Sequence, residues 1–150
     1  MLIELVPLKP DDSDLDELIR IHQEPSVSEF ISISDNYFKY VTETEDVYYY
    51  KILANERLAG GIHSEIHNET MYLSICVEEE YRRLGIAEKS LKKFFSVMPS
   101  YIKTIEASIE ETNIPSVHLF RKLGFQMSER DNELITYRKF VITNPDIHAE

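Results

Sequence analysis

The stretch Val77-Glu78-Glu79-Glu80-Tyr81-Arg82-Arg83-Leu84-Gly85-Ile86-Ala87 joins an apolar, β-prone run that starts at Met71 to an amphipathic helical pattern. A helix begins with backbone N–H groups that have no intrahelical partner, and its dipole places partial positive charge there. Gly85 lets the backbone approach a ligand closely, and Ala87 adds almost no side chain in the way. A strand, a tight basic loop and a helix N-terminus in this order can hold a phosphate or pyrophosphate. An ordinary strand-to-helix turn with two solvated arginines would read the same from this segment alone. Two other phosphate motifs are excluded. Gly85-Ile86-Ala87-Glu88-Lys89-Ser90 ends like a Walker A loop, but Glu88 stands where that loop needs its second glycine. The dinucleotide fingerprint needs a set of glycines of which only Gly85 is present.

A second segment, Asn113-Ile114-Pro115-Ser116-Val117-His118-Leu119-Phe120-Arg121-Lys122-Leu123-Gly124-Phe125, reads as a short helix. Asn113 is a good N-cap, Pro115 suits the first turn, and Gly124 sits where a helix stops. In this order and at this separation the two segments resemble the GNAT superfamily of N-acetyltransferases. The pyrophosphate loop of that family, Arg/Gln-x-x-Gly-x-Gly/Ala, matches Arg82, Gly85 and Ala87. Its later signature matches Asn113, Ser116, Leu119, Gly124 and Phe125, with Phe120 in the place usually held by tyrosine. The resemblance spans roughly Met1 to Val141.

The length of 150 residues suits one domain, able to bury about 70% of its unfolded surface. A domain over 1–142 is expected, with a flexible tail over 143–150. No apolar run approaches the ~20 residues that span a membrane, and Met1-Leu2-Ile3-Glu4 lacks a basic region and a long apolar core, so neither a membrane span nor a signal peptide is expected. Cys76 is the single cysteine and lies in an apolar run. That fits a reducing cytoplasm and a buried small hydrophobe rather than a nucleophile. With 27 acidic against 16 basic residues, the net charge of −11 argues against nucleic-acid binding through a basic face. It does not by itself choose between attraction of a cationic amine and plain solubility.

Leu2 to Leu8 reads as an edge strand, followed by helix caps at Asp11, Asp12 and Ser13 and a helical face of Leu15, Leu18, Ile19 and His22, ended by Pro25. A less regular helix is expected through Phe30, Ile33, Tyr37, Tyr40 and Val41. Val47 to Ala54, Arg57 to Ile66 and Thr70 to Val77 form a meander, with Gly60-Gly61 marking a bulge or a close backbone approach. Ala87, Leu91, Phe94, Phe95 and Met98 share a helical stripe. Tyr101 to Ile109 reads as a strand, and Phe125 to Glu129 with Glu133 to Val141 as a closing hairpin. These candidates make an α+β pattern. It agrees with the GNAT fold that the resemblance implies, a mixed, mostly antiparallel sheet of about seven strands with flanking helices and splayed central strands.

The resemblance further implies acetyl-CoA as cosubstrate, its pantetheine arm lying between the splayed strands. Carried over, the backbone of Ile75 and Val77 would bond the arm, and the Arg82-Arg83-Leu84-Gly85-Ile86-Ala87 loop would hold the pyrophosphate through N–H groups of Arg83, Gly85 and Ala87. The Val77 N–H would face the thioester carbonyl, Asn113 would touch the pantetheine, and Phe120 would pack against its sulfur end without supplying the proton that a tyrosine can. Direct transfer to an amine needs a base. Glu106 shares a strand face with Thr104 and Ser108, and Glu65 shares one with His63, so both glutamates are candidates, each with a bland reading as a solvated sheet residue. His63 and His67 stand ~13 Å apart on a strand, too far to share an ion, so no metal is expected. The tyrosine-rich segment Tyr37 to Tyr50 and the first two helices would shape the acceptor pocket for a small-molecule or protein amine. A homodimer is left open. A noncatalytic acyl-CoA-binding module is the alternative, supported by Phe120 and the unassigned base.

Overall fold

The computed structural model describes residues 1–141. The expected tail over 143–150 lies outside the described residues. The elements run β1 (Ile3–Pro7), α1 (Leu15–Gln23), α2 (Pro25–Ser28), α3 (Tyr37–Glu43), β2 (Val47–Ala54), β3 (Arg57–His67) and β4 (Thr70–Val77), followed by a 3₁₀ turn at Glu79–Tyr81. Then come α4 (Ile86–Val97), β5 (Thr104–Glu110), α5 (Ile114–Lys122), β6 (Gln126–Asp131) and β7 (Leu134–Phe140). All seven strands join one sheet in the order β1-β2-β3-β4-β5-β7-β6. Every pairing is antiparallel except that of β4 with β5.

That exception decides the shape of the molecule. Antiparallel neighbours can be joined by tight turns, whereas a parallel pair needs a long crossover. Here the crossover is the loop after β4 and helix α4. The β4–β5 register holds only Thr70 with Thr104, Met71 with Ile105 and Tyr72 with Glu106. Past Tyr72 the strands part, so Leu73 to Val77 of β4 and Ala107 to Glu110 of β5 face an opening in the middle of the sheet. β5 stays paired with β7 over its whole length.

The sheet buries both faces over its first half. One face carries the main core, in which Ile52, Ile62, Met71, Leu73, Ile105 and Ala107 meet Ile86, Leu91 and Phe94 of α4. The opposite face packs Val47 and Tyr49 against Leu18 and Val41, and Cys76 against Ile21 and Val27. Strands covered on both sides read as nearly unbroken apolar runs rather than alternating ones. The two glycines of β3 mark close approaches, as expected. A Cβ on Gly60 would sit 2.0 Å from the Cys76 carbonyl oxygen, and one on Gly61 would sit 2.1 Å from the Tyr49 hydroxyl. A register shift opposite Ile52 and Leu53 bends β3 just before them.

Three local expectations are corrected. Phe30 to Asn36 is irregular, and α3 begins only at Tyr37. Ser32, Ser34, Asp35 and Asn36 offer side-chain bonds that compete with helix there. Asp12 does not cap α1; its Oδ1 accepts from the Asp14 N–H at 3.0 Å and from Lys51 Nζ at 2.9 Å. Lys51, only 8% exposed, also reaches Asp14 Oδ2 at 2.8 Å, so the β1–α1 turn is tied to β2 by a charge that its partners satisfy. Finally, Asn113 stands at the N-cap position of α5 but makes no side-chain capping bond.

Candidate functional site

The opening between β4 and β5 exposes backbone rather than side chains. The Glu78 N–H donates to the Ala59 carbonyl at 2.7 Å, and Val77 pairs with Gly60 in register. In an antiparallel ladder hydrogen-bonded and non-bonded pairs alternate. Glu78, Cys76 and Ser74 therefore spend their N–H and C=O groups on β3, while those of Val77 and Ile75 turn toward β5, which has moved away. Unpaired strand edges accept another extended chain.

The same edge runs into the basic loop. Arg83 and Gly85 have positive φ, 65° and 76°, and Gly85 occupies the N-cap of α4 with no side-chain cap bond. Glycine adopts this conformation without steric cost, whereas arginine is held there against its preference. The first helical bond runs from the Lys89 N–H to the Gly85 carbonyl, 3.1 Å. The N–H groups of Ile86, Ala87 and Glu88 thus precede the ladder and are open to an anion. Leu84 is half exposed, and Ile86 is buried as the loop's anchor in the core. Arg82 is not splayed toward solvent as a second free cation. Its Nε donates to the Val77 carbonyl at 3.0 Å, which pins the loop to the strand edge.

The turn before the loop is gripped from the other face, an arrangement that the sequence did not suggest. Arg20 of α1 forms ion pairs with Glu17, Glu24 and the buried Glu78, and Glu24 Oε2 accepts from the Glu79 N–H at 3.2 Å. On the far side, Glu88 of α4 pairs with Lys122 of α5 at 2.7 Å. Phe120 is 2% exposed, and its ring meets that of Phe125 edge-on at 5.0 Å. The Phe125 N–H bonds the Phe120 carbonyl, the Gly124 N–H bonds that of Arg121, and Gly124 has φ 91°. This is a Schellman stop with its usual apolar contact, so Phe120 terminates α5 and presents almost no surface to a ligand.

Both glutamates singled out as bases fall on the face opposite α4. Glu65 pairs with Tyr72, and Tyr72 pairs with Glu106, so the three form one row across β3, β4 and β5. That row closes the inner end of the opening. Glu106 Oε1 accepts from Arg138 Nη2 at 3.0 Å. Glu65 Oε1 accepts from the Tyr40 hydroxyl, and Oε2 lies 3.1 Å from His63 Nε2, close enough for an ion pair but off the N–H axis of a hydrogen bond. His63 Nδ1 lies 2.9 Å from the Tyr37 hydroxyl. Burial pushes the His63 pKa down against the pull of Glu65, and burial also raises that of Tyr37, which stays a phenol. Two surface hollows of about 340 and 310 Å³ lie along α3 and beside β2. Neither is lined by residues of the opening between β4 and β5.

On the same face, further toward the loop end of β4, a buried trio links α1 to the sheet. His22 Nε2 lies 2.9 Å from the Tyr49 hydroxyl and 3.5 Å from Cys76 Sγ, while His22 Nδ1 is buried without a partner. Burial pushes the Cys76 thiol up to about 11. The thiolate is the reactive form. Cys76 is therefore expected to resist Ellman's reagent in the native protein and to react promptly once the chain is unfolded in urea. Fast modification of native protein would show that this packing is wrong.

Comparison with known proteins identifies the family and the fold. The family model described as the acetyltransferase (GNAT) family matches residues 15–125. An acetyltransferase from Thermus thermophilus has the same fold, with a TM-score of 0.81 at 16% identity over 94% of this chain and 98% of that one. The PaiA N-acetyltransferase of Thermoplasma acidophilum, solved in complex with coenzyme A, gives 0.76 at 19% identity over 94% and 100%. The N-acetyltransferase PseH of Campylobacter jejuni, solved in complex with acetyl coenzyme A, gives 0.71 at 16% over 93% and 99%. No curated protein sequence matches. Among the described residues, no helix is long and apolar enough to cross a membrane.

Proposed function

We propose that this chain, which belongs to the acetyltransferase (GNAT) family, moves an acetyl group from acetyl-CoA to a primary amine of a small molecule or protein by direct attack. Family membership supports acetyl-CoA as the cosubstrate, and two structures of the same fold hold coenzyme A or its acetyl ester. One observation carries the reading to these residues: the unpaired edge of β4, which leads into the uncapped N-terminus of α4.

In this reading the pyrophosphate sits on the loop N–H groups of Arg83, Gly85 and Ala87, with Leu84 and Ile86 shaping the turn. The pantetheine arm lies along Val77 and Ile75 as an added strand. The Val77 carbonyl has two lone pairs, so it can keep Arg82 and also accept from the arm. Because the arm enters at the loop end, the thioester lies further in. That order moves the role of carbonyl N–H donor from Val77, as the resemblance implied, to Ile75. An N–H fixed where negative charge grows stabilises the transition state more than the ground state. Asn113, freed from capping, can reach the arm. Phe120 acts behind the cleft by holding α5.

The amine is the harder half of the reaction. A lysine-like amine of pKa ~10.4 is only ~0.1% neutral near neutral pH, so freeing its lone pair costs about 4 kcal/mol. The leaving thiolate, with a pKa of ~8.5 like a cysteine, needs less help, so the lack of a tyrosine at position 120 costs less than the lack of a base would. Glu65 and Glu106 are the candidates for that base.

The test incubates the full chain with acetyl-CoA and primary-amine probes: spermidine, a lysine-containing peptide and glucosamine. Acetylated product by mass spectrometry, with matching thiol release, is the expected result. Acetyl-CoA binding without turnover of any probe would favour the noncatalytic module instead.

A further inference from the structure

We propose that Glu65, rather than Glu106, takes the proton from the acceptor amine, with Tyr37 and His63 as positioning residues behind it. The proposal rests on the acetyl-transfer reading above. The two carboxylates stand in one row on either side of Tyr72, ~10 Å apart at strand spacings of ~4.8 Å, and their surroundings differ.

Glu106 faces a guanidinium. Arg138, its partner across the β5–β7 ladder, donates to it at 3.0 Å, and the Glu106 side chain is only 13% exposed. A proton delivered there would break an ion pair and leave Arg138 without its closest counter-charge.

Glu65 faces phenols and an imidazole rather than a guanidinium. Tyr37 and Tyr40 lie three residues apart on α3 and so project from one side of the helix. Tyr40 donates to Oε1, and the Tyr37 hydroxyl lies 2.9 Å from His63 Nδ1. In the tautomer that accepts at Nδ1 the imidazole carries its proton on Nε2, which lies 3.1 Å from Glu65 Oε2. The groups facing Glu65 are therefore Tyr37 and Tyr40 from α3, His63 and His67 on its own strand, Tyr72 from β4 and the apolar Val47 from β2. None of them is a lysine or arginine that protonation of Glu65 would leave without its counter-charge. The row is also wet enough to receive an amine: Tyr40 is 42% and Tyr72 44% exposed.

The step balances. The ammonium gives one proton to Glu65, and the neutral nitrogen attacks the thioester carbonyl carbon. A C–N bond forms, the C–S bond breaks, and the remaining N–H⁺ proton of the adduct goes to the departing thiolate, giving amide and free CoA thiol.

The test compares kcat/KM against pH for wild type, Glu65→Gln, Glu106→Gln, His63→Gln and Tyr37→Phe, using whichever probe amine gives turnover, with acetyl-CoA affinity measured by calorimetry on each. Glu65→Gln is expected to lose ~10²–10⁴-fold in kcat/KM together with the acid limb of the profile, while acetyl-CoA affinity stays within about twofold. His63→Gln and Tyr37→Phe are expected to displace the acid limb with a smaller loss in kcat, read only at pH values where the urea midpoint shows each variant fully folded. Glu106→Gln should keep the limb. Wild-type kcat/KM in Glu65→Gln, or loss of the limb in Glu106→Gln instead, overturns the assignment and leaves acetyl transfer intact. A wild type that binds no acetyl-CoA or acetylates no probe removes the assignment together with the reading beneath it.

Discussion

Gly60→Ala is expected to destabilise the fold by roughly 3 kcal/mol or more, at the upper end of what overpacking costs. The added Cβ would lie 2.0 Å from the Cys76 carbonyl oxygen and 2.9 Å from Val77 Cα. Both are backbone atoms of β4, so no side chain can rotate away to make room. Relief requires β4 to shift, and β4 carries the Ile75–Val77 edge. The variant is therefore expected to lose urea stability and, in its folded fraction, affinity for acetyl-CoA. Gly61→Ala makes an informative contrast. Its Cβ runs into the Tyr49 ring at 2.1–2.3 Å, a side chain that is buried and bonded to His22. Truncating Tyr49 should partly rescue Gly61→Ala and should not rescue Gly60→Ala, because contacting pairs couple and non-contacting ones add. Equal rescue of both, or a Gly60→Ala variant as stable as wild type, would contradict the close approach.

Acidification between about pH 6.5 and pH 4 is expected to remove about 3 kcal/mol of stability through His22. Burial, with a smaller push from His63, lowers the His22 pKa to about 4. Between that value and the ordinary histidine value of ~6.5, the unfolded chain binds a proton that the folded chain refuses. The contribution is thus complete above the unfolded value and is lost as pH falls through the folded one. His63, also lowered, adds in the same direction. The lowered carboxyl groups of Asp12, Glu17 and Glu88 lose their contributions only as pH falls through their ordinary values, which leaves the upper part of this window to the histidines. Urea midpoints at about pH 7 and about pH 4.5 measure the effect, and His22→Gln should flatten most of the difference. A wild-type midpoint unchanged across the window would show that His22 is not held neutral.

The strands were the legible part of this chain. Val47 to Ala54 and Thr70 to Val77 were bounded correctly because β-branched and aromatic residues stop at Asn55-Glu56 and Asn68-Glu69, where positive φ turns the chain. Gly60-Gly61 was legible as a bulge or a close backbone approach, and the structure shows the close approach at both glycines with a register shift just before them. The helical region between Phe30 and Val41 was harder to read. Its apolar spacing suits a helix, but a backbone turn from Ser34 to Tyr37 precedes α3, and packing decides where α3 begins. Pro25 likewise starts α2 as well as ending α1, since proline is welcome in a first turn. At the site, the turn from β4 through Gly85 into α4 was readable because its geometry is set locally. The row Glu65–Tyr72–Glu106 was not, because it depends on two strand registers at once. Nor could the sequence show that Arg82 bends back onto Val77, that Arg138 occupies Glu106, or that Tyr37 and Tyr40 of a separate helix close over His63 and Glu65.

The most direct measurement is calorimetric titration of acetyl-CoA into wild type and Ala87→Glu. A carboxylate in the first turn favours the helix dipole, so the variant should fold at least as well as wild type. It also places negative charge where the pyrophosphate would sit. Saturable binding by wild type, with affinity lost in Ala87→Glu at unchanged thermal stability, is the expected result. Equal affinity in the two proteins, or no binding by wild type, would contradict a cofactor cleft running from β4 into α4.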